Sequence, residues 1–275
     1  MQLRIVSWNI NSVRARLALL ARVVDELAPD VLCLQETKVH DEQFPRQALH
    51  DMGFEHLAIF GQKSYHGVAI CSTARVPLSK VTRREWCEIA DARHLYCRLP
   101  GNLELHNFYV PAGGDLPDPA VNDKFAHKLR FMREVTDWFR RRKRRGNRFM
   151  LLGDLNVAPL ETDVWDHKKL LKVVSHTPVE VEHMDRWYAS HDWVDAVRRF
   201  IPAEERVYTW WSYRAADWKK VDKGRRLDHV WTTPALSEDL RAAWVYKPAR
   251  GYEKTSDHAP VVVDLDCRGG GLTES

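Results

Sequence analysis

The chain contains no apolar run approaching the roughly 20 residues needed to cross a membrane. It contains no Gly/Ser/Pro-rich linker, so we expect residues 1–267 to form one domain, followed by a disordered tail at 268–275. A strand-like run, L-R-I-V-S-W, starts at Leu3, and we expect no signal peptide before it. Charge is nearly balanced, with 42 Lys and Arg against 38 Asp and Glu. The net charge of +4 is compatible with a polyanionic partner but does not require one.

Cysteine is scarce, and its placement argues against a CxxC redox motif and against a zinc site. None of the five cysteines forms a CxxC pair or has a histidine at a zinc-finger spacing. Cys33 in V-L-C-L and Cys71 in V-A-I-C have the sequence context of small buried apolar residues. These features predict a protein of the reducing cytoplasm that is not associated with a membrane.

Much of the excess positive charge lies in one run of six basic residues, Arg140–Arg145. Cations at the end of a helix complement its dipole, and this interpretation favours a solvated helix end. A surface that contacts DNA phosphates is the alternative, and the sequence leaves it open.

Short apolar runs alternate with longer amphipathic segments, a pattern typical of an α/β layered domain. The predicted strands are residues 3–8, 31–34, 68–71, 103–110, 149–152, 230–233 and 261–265. Helical spacing of apolar residues before Pro29 and before Gly146 predicts two helices. Weaker patterns predict helices at 178–190 and 193–200, and the polar segment 213–226 is interpreted as a loop.

Polar residues flank five of these apolar runs. Asn9 and Asn11 follow I-V-S-W, Glu36 follows V-L-C-L-Q, Asp154 and Asn156 follow F-M-L-L-G, Asp228 precedes H-V-W, and Asp257 and His258 precede A-P-V-V-V. Each residue alone is more typical of a turn or a cap. Together they indicate a site at the strand ends, where loops expose groups fixed by the scaffold. Carboxylates and amides without thiolates favour Mg²⁺ or Mn²⁺, which predicts metal-assisted phosphoryl chemistry.

An ordered set of motifs extends from residue 7 to residue 261. They are S-W-N-I-N-S-V-R-A-R, L-Q-E-T-K, N-F-Y-V-P-A-G, L-L-G-D-L-N-V-A-P, Y-T-W-W-S-Y-R, R-R-L-D-H and S-D-H-A-P-V. This set resembles the exonuclease III family of the endonuclease/exonuclease/phosphatase superfamily. The resemblance implies a four-layered α/β sandwich, with two packed mixed β-sheets flanked by helices. It also implies a Mg²⁺-dependent DNA phosphodiesterase of base-excision repair, with Mn²⁺ as a possible substitute.

The same resemblance assigns roles to matching residues. Glu36 resembles the family's main metal-binding carboxylate, with Asn9 and Asp257 as neighbours around the ion. Asp154 resembles the group that orients or deprotonates the attacking water, with Asn156 fixing that water or the transition-state oxygens.

Further roles concern the phosphate and the number of ions. His258 and Asp228 resemble the family's His–Asp pair, in which the carboxylate sets the histidine's tautomer and supports its charge. Tyr109 resembles the tyrosine that contacts the phosphate or the leaving 3′ oxygen. If two ions bind, Asp154, Asn156 and a neutral His258 are expected to hold the second; one or two ions remain open.

Trp210 matches the aromatic residue that walls the family's pocket for an extruded sugar lacking its base. Core packing is the competing interpretation, because the chain has 11 tryptophans. The implied partner is duplex DNA with abasic sites, nicks or recessed 3′ ends, bound by a monomer. Six nearby basic residues are candidates for contacts with DNA phosphates, or for a solvated loop: Arg214, Lys219, Lys220, Lys223, Arg225 and Arg226.

Three features depart from the better-known members of the family. Asn11, expected near the substrate, stands where some members have a second metal-side aspartate. Ala112 replaces a polar residue, and residues 162–176 lack an asparagine-rich stretch that some members use against DNA. The balance between abasic-site incision and 3′-end trimming therefore stays open.

Two other functions remain as alternatives. Inositol-phosphate and sphingomyelin phosphodiesterases of the same superfamily share the Glu, Asp–Asn and Asp–His elements. A DNA-binding protein without catalysis is the second alternative, and it is disfavoured because every matched catalytic position keeps its functional residue.

Overall fold

The computed structural model describes residues 1–214 and 217–267. The strands are β1 Gln2–Asn9, β2 Val31–Gln35, β3 Phe54–Phe60, β4 Val68–Thr73, β5 Ser79–Trp86, β6 Ile89–Leu99, β7 Leu103–Tyr109, β8 Phe149–Asp154, β9 Val194–Asp195, β10 Trp210–Trp211, β11 Gly224–Arg225, β12 Asp228–Thr232, β13 Leu240–Val245 and β14 Val261–Asp266. The α-helices are α1 Leu17–Leu27, α2 Arg46–Asp51, α3 Asp123–Arg142, α4 His167–Leu170, α5 Pro178–Ala189, α6 Ala196–Phe200, α7 Trp218–Val221 and α8 Pro234–Ser237.

Two six-stranded sheets form the centre of the molecule. Their strand orders are β13-β14-β1-β2-β4-β3 and β5-β6-β7-β8-β12-β9. Each sheet contains one parallel pair, β1 with β2 and β7 with β8, and its other pairs are antiparallel. Strands β10 and β11 form a separate two-stranded ribbon.

The central strands bury both faces, which explains their continuous apolar runs. Leu3 and Ile5 of β1 pack in the core between the sheets with Met150 and Leu152 of β8. The opposite face of the first sheet packs against α1, and that of the second packs against α3 and α5. The layers are therefore helix, sheet, sheet and helix, and the predicted four-layered sandwich is confirmed.

All seven predicted strands are present, and the two clear helices correspond to α1 and α3. The prediction of a helix over 193–200 is wrong in its first half. Val194 and Asp195 pair with β12, and the Asp195 carboxylate then caps α6 by accepting from the amides of Val197 and Arg198.

The prediction of a loop over 213–226 is wrong at α7 and β11, and residues 215–216 lie outside the described part of the chain. Asp217 caps α7 by accepting a hydrogen bond from the Lys220 amide. The Trp218 ring packs edge-on against the Trp211 ring, with 5.1 Å between the ring centres. Strand β11 pairs with β10. This order comes from tertiary packing, which the polar sequence does not reveal.

The basic run begins in the last turn of α3, as expected for a helix end. Arg140 pairs with Asp137, and Arg142 pairs with the buried Glu104. The predicted tail at 268–275 lies outside the described residues. Among the helices of residues 1–214 and 217–267, none is long and apolar enough to cross a membrane.

Candidate active site

The predicted site residues lie at one edge of the molecule, where strand ends of both sheets meet. Tyr109 and Asp154 are paired at the carboxyl ends of β7 and β8, and Asp228 lies opposite Asp154 at the start of β12. In the other sheet, Asn9 ends β1, and Glu36 directly follows β2. The Asn9 side-chain amide donates across the interface to Asp154 Oδ2 at 2.9 Å.

A group of three ligand-type side chains occupies this edge. One atom each of Glu36, Asp154 and His258 lie within 4.8 Å of one another. Asn9 Nδ2 bridges the two carboxylates, donating to Glu36 Oε1 at 2.8 Å as well as to Asp154. Two carboxylates and an imidazole form a donor set that fits a divalent cation.

Asp154 is almost completely buried, and local geometry fixes its carboxylate. The preceding residue, Gly153, has φ +132°, and a Cβ there would collide with the Phe108 carbonyl oxygen. The Asn156 amide nitrogens then hold both oxygens of Asp154, with Nδ2 at 3.2 Å from Oδ2 and N at 3.0 Å from Oδ1. Burial raises the pKa of Asp154 to about 7, although the His258 charge opposes this shift.

His258 and Asp228 form the predicted contact, with 2.8 Å between Nδ1 and Oδ2. The Nε2 atom of His258 faces Asp154 Oδ2 at 3.7 Å. Burial disfavours the charged imidazole, but the negative charges of Asp228 and Asp154 outweigh it and raise the pKa of His258 to about 10. An imidazolium of this kind can attract a phosphate oxygen.

Asp257 lies outside the three-residue group. Its carboxylate accepts from Asn11 Nδ2 and from Trp210 Nε1, each at 2.9 Å. Trp210 is partly buried, and the Arg225 guanidinium lies 5.4 Å from its ring. The structure therefore links Trp210 to the site by a hydrogen bond that the sequence did not indicate.

Tyr109 is 8% exposed, and the Arg93 guanidinium lies 5.0 Å from its ring centre. Burial, reinforced by the charges of Glu36 and Asp154, raises the pKa of Tyr109 well above its usual range. The phenol is therefore a neutral hydrogen-bond donor at ordinary pH.

Sequence reasoning missed several residues that contact the site. Lys38 Nζ lies 2.8 Å from Glu36 Oε2 and donates to Asn11 Oδ1 at 2.6 Å. Arg16 donates to the Tyr213 hydroxyl at 2.9 Å, and Tyr213 is also within reach of Asn11. All three missed residues are part of the quoted motifs, so the motifs could have indicated them.

One candidate phosphate contact in the basic segment is corrected by the structure. Arg226 is 1% exposed and pairs with Asp163 and Asp195, so it is a buried structural residue. Its partner Asp163 belongs to the segment that departs from the family pattern. Lys219, Lys220 and Lys223 are exposed.

This fold and this group of strand-end carboxylates define a class of metal-dependent phosphoesterases, and comparison with known proteins identifies the family. A family model described as the Endonuclease/Exonuclease/phosphatase family matches residues 6–258. The chain therefore belongs to this family, within its exonuclease III and abasic-site endonuclease group, which confirms the predicted resemblance.

Individual relatives match over nearly their whole length. Exodeoxyribonuclease III of Haemophilus influenzae is 30% identical over 271 residues, covering 94% of this chain and 98% of that protein. An AP endonuclease from Archaeoglobus fulgidus has a TM-score of 0.88 at 29% identity, covering 96% and 99% of the two chains. A Neisseria 3′ phosphatase bound to a product DNA hairpin has a TM-score of 0.87 at 31% identity, covering 96% and 99%.

Proposed function

We propose that this protein is a divalent-metal-dependent DNA phosphodiesterase of base-excision repair, which incises duplexes beside abasic sites, trims 3′ ends, or does both. The observation that carries the proposal is the group of Glu36, Asp154 and His258, bridged by Asn9 and completed by Asp228. The relatives' names support DNA as the substrate. We further propose that a monomer acts in the cytoplasm, which the five free, buried cysteines support.

Mg²⁺ is the proposed ion, with Mn²⁺ as a substitute. Glu36 would be the main ligand, with Asn9 and Asp257 as its neighbours around the ion. Because Asp154 is assigned to the water and the charged His258 to the phosphate, we propose one ion, held on the Glu36 side of the group, rather than two. When bound, the ion supplies Lewis-acid stabilisation of the negative charge that develops on the phosphate.

The side chains then divide the remaining work. Asp154, with its raised pKa, orients a water and accepts its proton as the water attacks phosphorus. Asn156 fixes Asp154 for this step. His258, held by Asp228, binds a non-bridging phosphate oxygen, and the Tyr109 hydroxyl donates to the phosphate or to the leaving 3′ oxygen.

The test compares two labelled duplexes at equal enzyme concentration in Mg²⁺, one with an abasic analogue and one with a recessed 3′ end. We expect cleavage of at least one duplex, its loss in excess chelator, and a fall of about 10²- to 10⁴-fold in the Asp154→Asn variant. Full cleavage in chelator would contradict the metal requirement. Release of phosphate from inositol phosphates with no DNA cleavage would favour the alternative superfamily function.

A further inference from the structure

Lys128 is a fully buried lysine on the core-facing side of α3. Gly113 packs close to its side chain, since a Cβ added at Gly113 would lie only 3.0 Å from Lys128 Cδ. The ammonium donates to the Asn156 carbonyl at 2.8 Å, to the Ala112 carbonyl at 3.3 Å and to Glu180 Oε1. An ammonium group has three donors, and each of them here has an acceptor.

Glu180, the charge partner, is also fully buried. Its carboxylate additionally accepts from the Ser175 amide at 2.9 Å, the Thr177 amide at 3.1 Å and the Thr177 hydroxyl at 2.7 Å. A buried ion pair gains little net stability over apolar packing, because desolvation offsets much of the attraction. Stability alone therefore gives a weak reason for two charges at this position.

The position of the ammonium supplies a stronger reason. Asn156 has φ +54°, in the left-handed region, which asparagine adopts more readily than most residues other than glycine. Lys128 fixes the carbonyl of this residue. The Asn156 side-chain amide meanwhile donates to the Val110 carbonyl at 2.9 Å and to Asp154 Oδ2 at 3.2 Å. Lys128 is thus linked to the Asp154 carboxylate through a single residue.

The same ammonium also connects two loops of the site. Ala112 lies in the loop that follows β7 and Tyr109, whereas Asn156 lies in the loop that follows β8 and Asp154. The Val110 amide donates to the Asp154 carbonyl at 2.9 Å, so the two loops leave the sheet side by side. A shift of about 1 Å in a reacting group is enough to slow a reaction by about 10²-fold.

We propose that Lys128 is a positioning residue for catalysis, which holds Asn156 in its left-handed conformation and thereby aims the Asp154 carboxylate. The inference rests on the proposed function. Lys128 itself is enclosed by protein atoms, so it acts through Asn156 and not on the substrate directly.

The experiment measures kcat and KM for DNA cleavage by Lys128→Met and by Lys128→Met/Glu180→Gln. The double variant removes both buried charges, so it is expected to fold even if the single variant does not. Leu129→Ala is the matched control. It removes apolar packing at the next residue of α3, where Leu129 contacts Phe125 and Val174, and leaves the Lys128 ammonium in place. A second series repeats the lysine substitutions in an Asn156→Ala background.

We expect kcat to fall about tenfold to a hundredfold in both Lys128 variants, with KM little changed. Leu129→Ala should lower the melting temperature but keep kcat. In the Asn156→Ala background, replacing Lys128 should have a smaller further effect, because the side-chain link from residue 156 to Asp154 is already lost. Normal kcat in the folded double variant, or an undiminished effect of Lys128→Met without Asn156, would overturn the proposal. A wild-type protein that cleaves no DNA would instead overturn the proposed function.

Discussion

At the scale of single residues, Asn9 joins the two carboxylates of the site. Its amide donates to both Glu36 and Asp154, and Lys38 and His258 provide positive charge on either side. Such an arrangement fixes the two carboxylates relative to one another, and a site whose groups are fixed in this way needs little reorganisation to act. Each of these residues therefore has an effect that can be measured separately.

Glu36→Gln keeps the size of the side chain but removes its negative charge. We expect the Mg²⁺ concentration for half-maximal activity to rise at least about tenfold, because a principal charged ligand is lost, with partial recovery in Mn²⁺. Glu55→Gln is the control, since Glu55 is exposed in β3. Metal titrations of activity and of binding heat provide the measurement. An unchanged Mg²⁺ requirement would exclude Glu36 as the main ligand.

Trp210 permits a test that separates its ring from its N–H group. Trp210→Phe keeps a flat ring but loses the bond to Asp257, whereas Trp210→Ala loses both. If the ring walls the sugar pocket, only Trp210→Ala should lose abasic-site preference, by about tenfold to a hundredfold for a contact of about 1–3 kcal/mol. Specificity constants on abasic and recessed duplexes decide this. Equal losses on both substrates in both variants would show that Trp210 acts through Asp257.

At the scale of elements, β6 and β7 carry a buried histidine pair that links stability to pH. His94 Nε2 and His106 Nδ1 lie 3.1 Å apart, and both residues are completely buried. Burial lowers the pKa of His106 to about 4, although Glu104 opposes the shift. The folded protein therefore resists a proton that the unfolded chain accepts below about pH 6.5.

The free energy of unfolding should accordingly be independent of His106 above about pH 6.5 and fall as the pH drops toward 4. The shift corresponds to at most about 3 kcal/mol. His106→Gln should flatten the fall between pH 6.5 and 5, whereas His40→Gln, at an exposed position, should not. Denaturant unfolding at several pH values measures both slopes. Parallel slopes for the wild type and His106→Gln would contradict the assignment.

The elements that sequence reasoning recovered share a physical cause. Central strands such as β1 and β8 bury both faces and have continuous apolar runs. The edge strand β5, S-K-V-T-R-R-E-W, exposes charged side chains that protect the edge of a sheet, and it was not predicted. The edge strands β3 and β13 were missed as well, and so was the interior strand β6, whose sequence I-A-D-A-R-H-L-Y-C-R-L has no continuous apolar run.

The site, like the fold, was predictable only where buried apolar runs marked it. Residues at the ends of buried strands, such as Glu36 and Asp154, were visible in the sequence because an apolar run stops there. Lys128 was not, because a lysine in an amphipathic helix is ordinarily solvated. The contact of Trp210 with Asp257 joins residues 47 positions apart, and only the folded chain shows it.

At the scale of the whole molecule, two groups of basic residues that could contact DNA lie in distant regions. Strand β8 runs from Phe149, which lies beside the basic run, to Asp154 at the site. Its two ends are about 17 Å apart, because each of the five steps along a strand advances about 3.3 Å. The run Arg140–Arg145 thus lies at the opposite end of the second sheet from the proposed active site. Lys219 and Lys220 of α7 come shortly after β10 in the chain. The backbone of Trp210 in β10 pairs with that of His258 in an isolated β-bridge, so this second group is linked to the site. A duplex at the active site is therefore expected to contact the second region and not the first.

The salt dependence of DNA binding distinguishes these regions. Each phosphate contact contributes about 0.9 to the slope of log K against log salt concentration. Lys219→Gln/Lys220→Gln should therefore flatten the slope by up to about 2, whereas Arg141→Gln/Arg144→Gln should leave it unchanged. Both pairs remove two charges from exposed positions, so a general loss of positive charge affects them equally. Binding of an abasic duplex to the Asp154→Asn variant, measured by anisotropy at several salt concentrations, gives the slopes without cleavage. Equal flattening by both pairs would indicate a general effect of net charge, and flattening by the Arg141/Arg144 pair alone would assign the Arg140–Arg145 run to DNA contact.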